Sequence, residues 1–423
     1  MGATVKTPLS DVPEHGPFTP TTPDAALPAH HNPNSPYFTP GPSSVTGSSA
    51  TLIASNGKSS TSRSKSSTSR KQSSSSTGRS STLTSSRSSP RLAQIHEKDV
   101  PIAPSTIMYW SRAPVYGACP TRTMRGHTVT LVDSMVWVFG GCDDKETARD
   151  IYCFDVETMQ WSHPTTTGDL PPPSRAHTAT LVDRKLYVFG GGQSASYSDA
   201  VYILDTVTRK WTKPISSAAA VHPEIPAPRR AHTAVYYNGK IWVFGGGNGM
   251  MALNDVWTLD VAKIGLGADE CGIPSPRGYH TANLVGNMMI VVGGSDGKDC
   301  FAEVWCLNLD TLEWTLLDLP ESYKRLSHTS TQVGSYLFIQ GGHNGAEYIN
   351  DIRFFNLVNL QFEPRPTAGI PPSPRGYHSA ILADSRLWVF GGYNGSSAYD
   401  DVYVADLAGG SYLPQVTSFS VEV

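Results

Sequence analysis

Beyond residue 127, short apolar runs alternate with polar turns, and one arrangement of them occurs six times. In the second copy, the apolar-rich run at 177–182 is followed by the turn Asp183-Arg184 and by a second run at 186–189. The second runs of the six copies are continuously apolar: VWVF, LYVF, IWVF, MIVV, LFIQ and LWVF. Because a strand that is apolar at every position is buried on both faces, each copy predicts a sheet stacked between two others.

Each copy continues with a third run and then a large apolar residue six positions beyond that run. The third runs read IYCFD, VYILD, VWTLD, VWCLN, IRFFN and VYVAD. Four strands in a unit that repeats about every 50 residues are typical of a propeller blade. We therefore expect an all-β, six-bladed β-propeller over residues 106–415. The late apolar residues, which mark the fourth strands, are Trp161, Trp211, Leu266, Trp314, Phe362 and Tyr412.

A histidine at the start of the first strand and a glycine pair at the end of the second are always thirteen positions apart. We expect the glycines to adopt positive φ and to pack close to a neighbouring blade, where a side chain would be disfavoured. We expect the histidines, and an arginine just before each, to bind backbone carbonyls where blades meet. Six equivalent histidines around a ring do not converge on one point, so we interpret them as structural rather than catalytic or metal-binding. The repeated residues are His127, His177, His232, His280, His328 and His378, with Gly140, Gly141, Gly190, Gly191, Gly245, Gly246, Gly293, Gly294, Gly341, Gly342, Gly391 and Gly392, and the arginines are Arg125, Arg175, Arg230, Arg277, Arg325 and Arg375.

Two segments compete to supply the fourth strand of the last blade. Trp110 stands 17 residues before His127, much as Trp161 stands 16 before His177. This spacing suggests an outer strand without a blade of its own, which would lock the two ends of the chain together. The alternative is the segment around Tyr412, and we favour Trp110.

The motif R-(G/A)-(Y)-H-(T/S), the glycine pair, the third strand and the late tryptophan resemble the kelch-repeat superfamily across 106–415. Some copies depart from that pattern, since Leu266, Phe362 and Tyr412 replace the tryptophan. A kelch ring behind a long Ser/Pro-rich leader is similar to fungal kelch adaptors, cell-end markers and Rab-effector proteins. The resemblance implies a non-enzymatic scaffold for protein–protein interaction in cell polarity, small-GTPase signalling or trafficking. Neither the coiled coil of the cell-end markers nor the BTB domain of ubiquitin-ligase adaptors is found in this sequence.

The first hundred residues have a different composition from the ring. Positions 59–89 hold 17 serines, and residues 1–100 carry a net charge of +5 against −8 for the remainder. Such a segment buries too little apolar surface to offset chain entropy, so we expect residues 1–100 to be a disordered, basic tail. Six Ser/Thr-Pro steps make the tail a candidate for phosphorylation, and a plain solvated linker is the alternative. Residues 416–423 are expected to be a short C-terminal extension.

The remaining composition points to a soluble protein of a reducing compartment. The six cysteines include no C-x-x-C pair, and no apolar leader or long apolar stretch is present. We therefore expect a cytoplasmic protein with free thiols and without a metal, a cofactor or catalytic residues. Its charge does not call for nucleic acid or membrane insertion.

The longer loops, which join strands 2–3 and 4–1, are expected to share one face of the ring. Their sequences differ from blade to blade, and they contain residue types enriched in protein contacts. We therefore expect a protein partner to bind this face, with the alternative that the tyrosines fold down as packing of their own blades. The candidate partner-binding residues are Asp143, Asp144, Lys145, Arg149, Tyr197, Met250, Met251, Lys298, Asp299, His343, Glu347, Tyr348, Tyr393 and Tyr399.

An enzyme is the alternative to a scaffold, because galactose oxidase and plant specifier proteins also use kelch blades. An oxidase-like site requires two Tyr, two His and a Cys-modified Tyr in a secreted protein, but here the repeat accounts for the histidines. A specifier-like iron site requires E-x-x-x-D-x-x-x-H spacing, which the sequence lacks. We therefore favour the scaffold.

Overall fold

The computed structural model describes residues 107–214, 226–262, 265–269, 274–407 and 419–423. The predicted disordered tail at 1–100, its Ser/Thr-Pro steps and Tyr412 lie outside the described residues. Within them the chain forms the expected all-β, six-bladed propeller.

The strands of the first three blades follow the apolar runs of the sequence. Ahead of the blades lie β1 (Met108–Arg112) and β2 (Tyr116–Gly117). Blade 1 contains β3 (Thr128–Val132), β4 (Met135–Phe139), β5 (Ile151–Asp155) and β6 (Gln160–Ser162), and β7 (Thr167–Gly168) comes after it. Blade 2 contains β8 (Thr178–Val182), β9 (Lys185–Phe189), the small hairpin β10 (Gly192–Gln193) and β11 (Ser196–Tyr197), β12 (Val201–Asp205) and β13 (Lys210–Thr212). Blade 3 contains β14 (Thr233–Tyr237), β15 (Lys240–Phe244), β16 (Val256–Asp260) and β17 (Gly265–Asp269).

The other three blades repeat this order. Blade 4 contains β18 (Thr281–Val285), β19 (Met288–Val292), β20 (Val304–Asn308) and β21 (Trp314–Leu316). Blade 5 contains β22 (Thr329–Val333), β23 (Tyr336–Gln340), β24 (Ile352–Asn356) and β25 (Gln361–Glu363), and β26 (Thr367–Gly369) comes after it. Blade 6 contains β27 (Ser379–Ala383), β28 (Arg386–Tyr393) and β29 (Ala398–Asp406).

The hydrophobic core lies between neighbouring blades rather than inside any one of them. Between blades 1 and 2, for example, Trp137 and Phe139 pack in one cluster with Leu186, Val188 and Trp211. The second strands are buried along almost their whole length, as in β19, where every residue is buried. This confirms the double-sided burial that their continuously apolar sequences predict.

The six blades are tied together around the ring axis by a closed belt of backbone hydrogen bonds. In each blade, the N–H of the residue before the repeated histidine donates to the carbonyl of the equivalent residue one blade back, at N···O distances of 2.7 to 2.9 Å. All six residues have φ between 52° and 63°, the left-handed region. Glycine, alanine, serine and tyrosine occupy these six positions. The residue before the histidine in the repeat motif therefore reflects the left-handed conformation that the position requires. The belt residues are Gly126, Ala176, Ala231, Tyr279, Ser327 and Tyr377.

The first strand along the chain, β1, closes the ring as the fourth strand of blade 6. It pairs antiparallel with β29, so that Trp110 lies opposite Ala405. Trp110 is only 2% exposed and packs in the cluster between blades 5 and 6 with Phe338 and Leu387. The prediction that Trp110 supplies the closing strand is confirmed.

Three blades carry a fifth, parallel edge strand that the sequence analysis did not foresee. β2, β7 and β26 belong to the connections that leave one blade, and they pair with the outer strand of the next blade: β6, β13 and β1. Each ends at a glycine with positive φ, and a Cβ at Gly168 would lie 2.1 Å from the carbonyl oxygen of Trp211. Glycine is therefore required where the connection crosses the outer strand.

Removing the Trp110 side chain should weaken ring closure. We expect Trp110→Ala to lower the free energy of unfolding by about 3–5 kcal/mol, the usual cost of deleting a buried aromatic side chain. The control is Tyr109→Ala, since Tyr109 is 56% exposed on the same strand, and it should cost less than about 1 kcal/mol. Chemical denaturation of both variants checks this, and equal losses would contradict a closing role for Trp110.

The left-handed conformation of the belt residues predicts that glycine does not destabilise the ring at these positions, although it does inside a strand. Ala176 has φ 52°, so Ala176→Gly should be neutral or slightly stabilising, whereas Ala176→Val should cost more than about 1 kcal/mol. At Ala179, inside strand β8, glycine should instead destabilise by roughly 0.5–1 kcal/mol. Thermal unfolding of the three variants distinguishes the two backbone environments. Destabilisation by glycine at both alanines would contradict the left-handed conformation of Ala176.

Candidate functional site

The repeated histidines and glycines form the contacts between blades, as their spacing predicts. The imidazole Nε2 of His177 is 3.0 Å from the hydroxyl of Thr128 in the preceding blade. Four further junctions repeat this contact at 2.8 to 3.1 Å. The junction that closes the ring differs, because Ser379 Oγ donates to the backbone carbonyl of His127 at 2.7 Å. At five of the six junctions the contact of the histidine Nε2 is therefore with a threonine hydroxyl, where we expected a backbone carbonyl.

The glycine pairs lie where the backbones of two blades come closest. A Cβ at Gly140, which has φ 64°, would lie 2.4 Å from the carbonyl oxygen of Ser174 and 2.9 Å from the imidazole of His177. The next residue, Gly141, donates its N–H to the Ser174 carbonyl. The predicted need for positive φ and close packing is confirmed at all six pairs.

Burial keeps the repeated histidines neutral. It lowers the pKa of His280 to about 3, with a smaller contribution from the nearby charge of Arg277. The other five histidines are shifted in the same direction, chiefly by burial. A pKa this far below neutral disfavours acid–base catalysis near pH 7.

The arginines before the histidines occupy two different positions, which the sequence analysis treated as one. In blades 3 to 6 the arginine three positions before the histidine donates to the carbonyl of the first glycine of its own blade and to an acid at the start of the third strand. These carbonyls are bound within a blade and not between blades. In blade 3 this residue is Arg229, not the predicted Arg230. The pairs are Arg229–Asp255, Arg277–Glu303, Arg325–Asp351 and Arg375–Asp401.

The remaining arginines, Arg125, Arg175 and Arg230, stand two positions before their histidines, and two of them pack against aromatic residues of the 2–3 loops. The guanidinium of Arg125 lies 4.0 Å from the ring centroid of Tyr393 in blade 6. That of Arg230 lies 5.0 Å from Tyr197 in blade 2. These contacts stiffen the loop face from one blade to the next.

Five of the six 2–3 loops share one turn, built on an Asp or Asn side chain. In blade 3, Asn248 Oδ1 accepts hydrogen bonds from the backbone N–H groups of Met250 and Met251, both at 2.9 Å. This side-chain-to-backbone turn fixes the loop without using the residues at its tip. Blade 2 uses the β10–β11 hairpin instead. The equivalent turn residues are Asp143, Asn248, Asp296, Asn344 and Asn394.

At the tip of each loop stand the two residues whose N–H groups bind the Asp or Asn side chain. These two residues differ from blade to blade. Among them, Met250 is 68% exposed. Of the candidate residues, Asp144, Lys145, Arg149, Lys298, Asp299 and Glu347 are also exposed. Sequence reasoning missed four residues at the same positions; the shared Asx turn would have identified them. The full set of presented pairs is Lys145/Glu146, Met250/Met251, Lys298/Asp299, Ala346/Glu347 and Ser396/Ser397.

The aromatic candidates mostly support the loops from below. His343 and Tyr393 are buried, at 3% and 1% exposure, so neither stands on the surface as a contact anchor. Tyr348 packs edge-on against both, with ring centroids 4.8 and 6.1 Å away. Tyr399 lies under the guanidinium of Arg375, at 4.0 Å. For these residues the structure favours the alternative of packing within the ring.

Among the described residues, no group of three or more His, Cys, Asp or Glu side chains is arranged to hold a metal ion. Burial also raises the pKa of three thiols, Cys153, Cys300 and Cys306, to about 12. Protonated thiols are poor nucleophiles and poor metal ligands. No helix in the described part of the chain has the length and apolar character needed to cross a membrane. The loop face is the candidate functional site.

Comparison with known proteins gives one family. The model of the KLHDC2/KLHL20/DRC7 Kelch-repeats domain matches residues 94–264, 216–323 and 319–418. Leucine-zipper-like transcriptional regulator 1 of Homo sapiens is 36% identical over 156 residues, which are 36% of this chain and 19% of that protein. Kelch domain-containing protein 3 of Rattus norvegicus is 35% identical over 85 residues, 18% of this chain and 22% of that protein. The matched region thus spans about a fifth of the length of these curated relatives.

The buried histidines predict acid sensitivity. Their folded pKa values are below the value of about 6.5 in an unfolded chain, so the unfolded state binds more protons and stability falls as the pH drops below about 6.5. Each histidine contributes up to about 1.4 kcal/mol per pH unit near pH 5. We expect His280→Asn to reduce the pH dependence of the free energy of unfolding by the equivalent of about one proton taken up on unfolding. Chemical denaturation between pH 5 and 7 measures this dependence. The exposed His163 provides the control substitution, and an unchanged slope in His280→Asn would contradict the assignment.

Proposed function

This chain belongs to the kelch-repeat family, and we propose that its propeller is a non-enzymatic protein-interaction module that binds a partner through the 2–3 and 4–1 loop face. The observation that carries the proposal is the shared Asx turn, which holds five loops in one backbone conformation and presents a different pair of side chains in each. Rigid loops with variable tips bind with little loss of conformational entropy.

The chemistry of the loop face suits a protein surface. In blade 3, Met250 is exposed and Met251 is half-buried, and the loop of the neighbouring blade 4 carries the exposed, oppositely charged pair Lys298 and Asp299. Methionine adapts to irregular apolar surfaces, and surrounding charges set register and exclude wrong partners. A specific interface buries roughly 800 Å² on each partner, which a few adjacent blade loops can supply. We place the anchor at Met250 and Met251, with Lys298 and Asp299 beside it.

The cellular setting remains part of the proposal. We infer a cytoplasmic adaptor that acts in cell polarity, small-GTPase signalling or trafficking, with the Ser/Thr/Pro-rich segment at 1–100 regulated by phosphorylation. The resemblance to fungal kelch adaptors and Rab-effector proteins supports these roles. The buried free cysteines of the ring support a reducing compartment.

The kelch-enzyme alternative makes a different prediction. If the ring holds a catalytic metal, adding copper, iron or zinc at stoichiometric level should raise its melting temperature by mass action. We expect no rise above about 1 °C for any of the three metals. Calorimetry with each metal checks this, and a saturable increase would favour the enzyme.

The loop-face proposal is tested by capture of partners on the full-length chain. We expect Met250→Ser/Met251→Ser to reduce capture of the main partner at least tenfold, since central apolar anchors dominate binding energy, with little change in melting temperature. The matched control is Val207→Ser, because Val207 is 65% exposed on the opposite face. Quantitative mass spectrometry compares the proteins captured by the parent chain, by the double variant and by Val207→Ser. Loss of the partner with Val207→Ser but not with the double variant would place the interface on the other face.

A further inference from the structure

Blade 2 has short side chains at three positions of the repeat where blades 3 to 6 have an arginine, a large side chain and an acid. Its residues there are Ser174, Ser198 and Ala200. The backbone frame is unchanged, because the N–H of Ser198 donates to the carbonyl of Gly191 just as the equivalent N–H does in blades 1, 3, 4 and 5. The corresponding residues of blades 3 to 6 are Arg229/Leu253/Asp255, Arg277/Phe301/Glu303, Arg325/Ile349/Asp351 and Arg375/Tyr399/Asp401.

A cavity of about 100 Å³ lies where these side chains are short. We name it the blade 2 slot and define it by Phe139, Ser174, Gly190, Ser198 and Tyr202. Exposed residues of the β10–β11 hairpin also line it, so the slot opens on the loop face. The 2–3 loop of blade 2 forms this hairpin instead of the Asx turn. The altered loop and the missing side chains therefore occur at the same place.

Blade 1 shows that losing the arginine alone does not open a slot of this size. Met124 replaces the arginine there, is only 7% exposed and packs in the cluster between blades 1 and 6. The cavity beside it measures about 20 Å³, which is room for about one water molecule. The blade 2 slot is the place where the repeat leaves room for a side chain from outside.

The walls of the slot are apolar and flat. They include the ring of Phe139, the ring of Tyr202, the side chain of Val188 and the three prolines at 171–173. Aromatic rings pack well against other flat rings in offset or edge-on arrangements. An enclosed cavity of about 150 Å³ holds a whole benzene ring, so an open slot of about 100 Å³ takes most of one planar side chain.

A backbone carbonyl in the slot is poorly matched by the chain itself. In blades 3 to 6 the carbonyl of the first glycine accepts a hydrogen bond from the arginine Nη1 at 2.9 to 3.1 Å. In blade 2 the hydroxyl of Ser174 takes the place of that donor, at 3.4 Å from the carbonyl oxygen of Gly190. An ordinary O–H···O bond spans roughly 2.5–3.0 Å. The Gly190 carbonyl can therefore accept a shorter bond from a donor that enters the slot.

The charge of the slot favours an uncharged donor. Ala200 stands where blades 3 to 6 have the acid that pairs with the arginine, and no Asp or Glu is among the described residues that line the slot. A cation buried there would lack a counter-charge, which is costly. Tyrosine combines a flat apolar ring with a neutral O–H donor at its tip, whereas the indole of tryptophan is larger than the slot.

We propose that the blade 2 slot receives a tyrosine side chain of the partner that binds the loop face. Its ring packs against Phe139 and Tyr202, and its hydroxyl donates to the Gly190 carbonyl. The slot adjoins the blade 3 loop that carries Met250, because a Cβ at Gly249 of that loop would lie 3.0 Å from the ring of Tyr197 in the slot wall. The inference rests on the function proposed above, since it names a residue that the partner carries.

The test uses p-cresol, the tyrosine side chain as a free molecule, and the full-length chain. We expect saturable binding with a dissociation constant of about 1 mM or tighter, measured by ligand-observed NMR. Toluene, which lacks the hydroxyl, should not saturate up to its solubility, and neither should methylguanidinium. Two variants fill the slot with the side chains of blade 3: Ser198→Leu, and Ser174→Arg/Ala200→Asp. Both should lose p-cresol binding, with melting temperatures at or above that of the parent.

Partner capture separates this inference from the loop-face function. Ser198→Leu should reduce capture of the main partner roughly threefold or more. If Met250→Ser/Met251→Ser reduces capture and Ser198→Leu does not, the slot proposal alone fails. If neither variant reduces capture, the loop-face function fails as well.

The probe experiment can also overturn the proposal. It fails if p-cresol does not bind, if both filled variants still bind it, or if both unfold because the ring itself needs the short side chains. Equal binding of toluene or methylguanidinium would make the occupant a hydrocarbon or an arginine instead. A concentration-dependent dimer that Ser198→Leu abolishes would make it a second copy of the chain. Binding of p-cresol that appears only after Tyr37→Ala would mean that the chain supplies its own tyrosine.

Discussion

The structure depends on the closed belt of six backbone hydrogen bonds around the ring axis. Each bond joins two neighbouring blades, and in every case the residue before the repeated histidine adopts the left-handed conformation. That conformation disfavours ordinary side chains by roughly 1–2 kcal/mol per residue, so the surrounding contacts must impose it. The glycine pair and the buried histidine of each junction provide them, because they bring the second strand of one blade onto the first strand of the next.

The glycine pair and the buried histidine recur in every blade, and this uniformity separates structure from recognition. Histidines, glycines and the arginine–acid pairs are engaged between or within blades. The side chains at the loop tips are not needed to hold the turn, because an Asp or Asn side chain accepts the hydrogen bonds of the turn's backbone N–H groups. Pairs as different as Met250/Met251 and Lys298/Asp299 therefore occupy one backbone frame. Variation at these positions changes the surface without disturbing the ring.

The ends of the described chain show where the sixfold pattern is broken. Blade 6 takes its outer strand from β1, so Trp110 and Ala405 are paired across almost the whole length of the ring's sequence. The joining junction also replaces the threonine–histidine contact with a bond from Ser379 to the carbonyl of His127. Between blades 4 and 5, Phe419 and Val421 pack against the cluster that these two blades share. Departures from the repeat therefore mark the places where segments distant in sequence meet.

The sequence by itself determined the fold, the number of blades and the structural role of the histidines and glycines, because each follows from local strand patterns repeated six times at a fixed spacing. It also favoured Trp110 for closure, through its distance from His127. Only the tertiary structure decided which side chains face outward, since His343 and Tyr393 stand in loop sequences yet are buried by neighbouring blades. It likewise separated Arg229 from Arg230 and placed Phe419 on blades 4 and 5. These contacts join different blades, and their geometry depends on how blades pack together, which no spacing within a single repeat records.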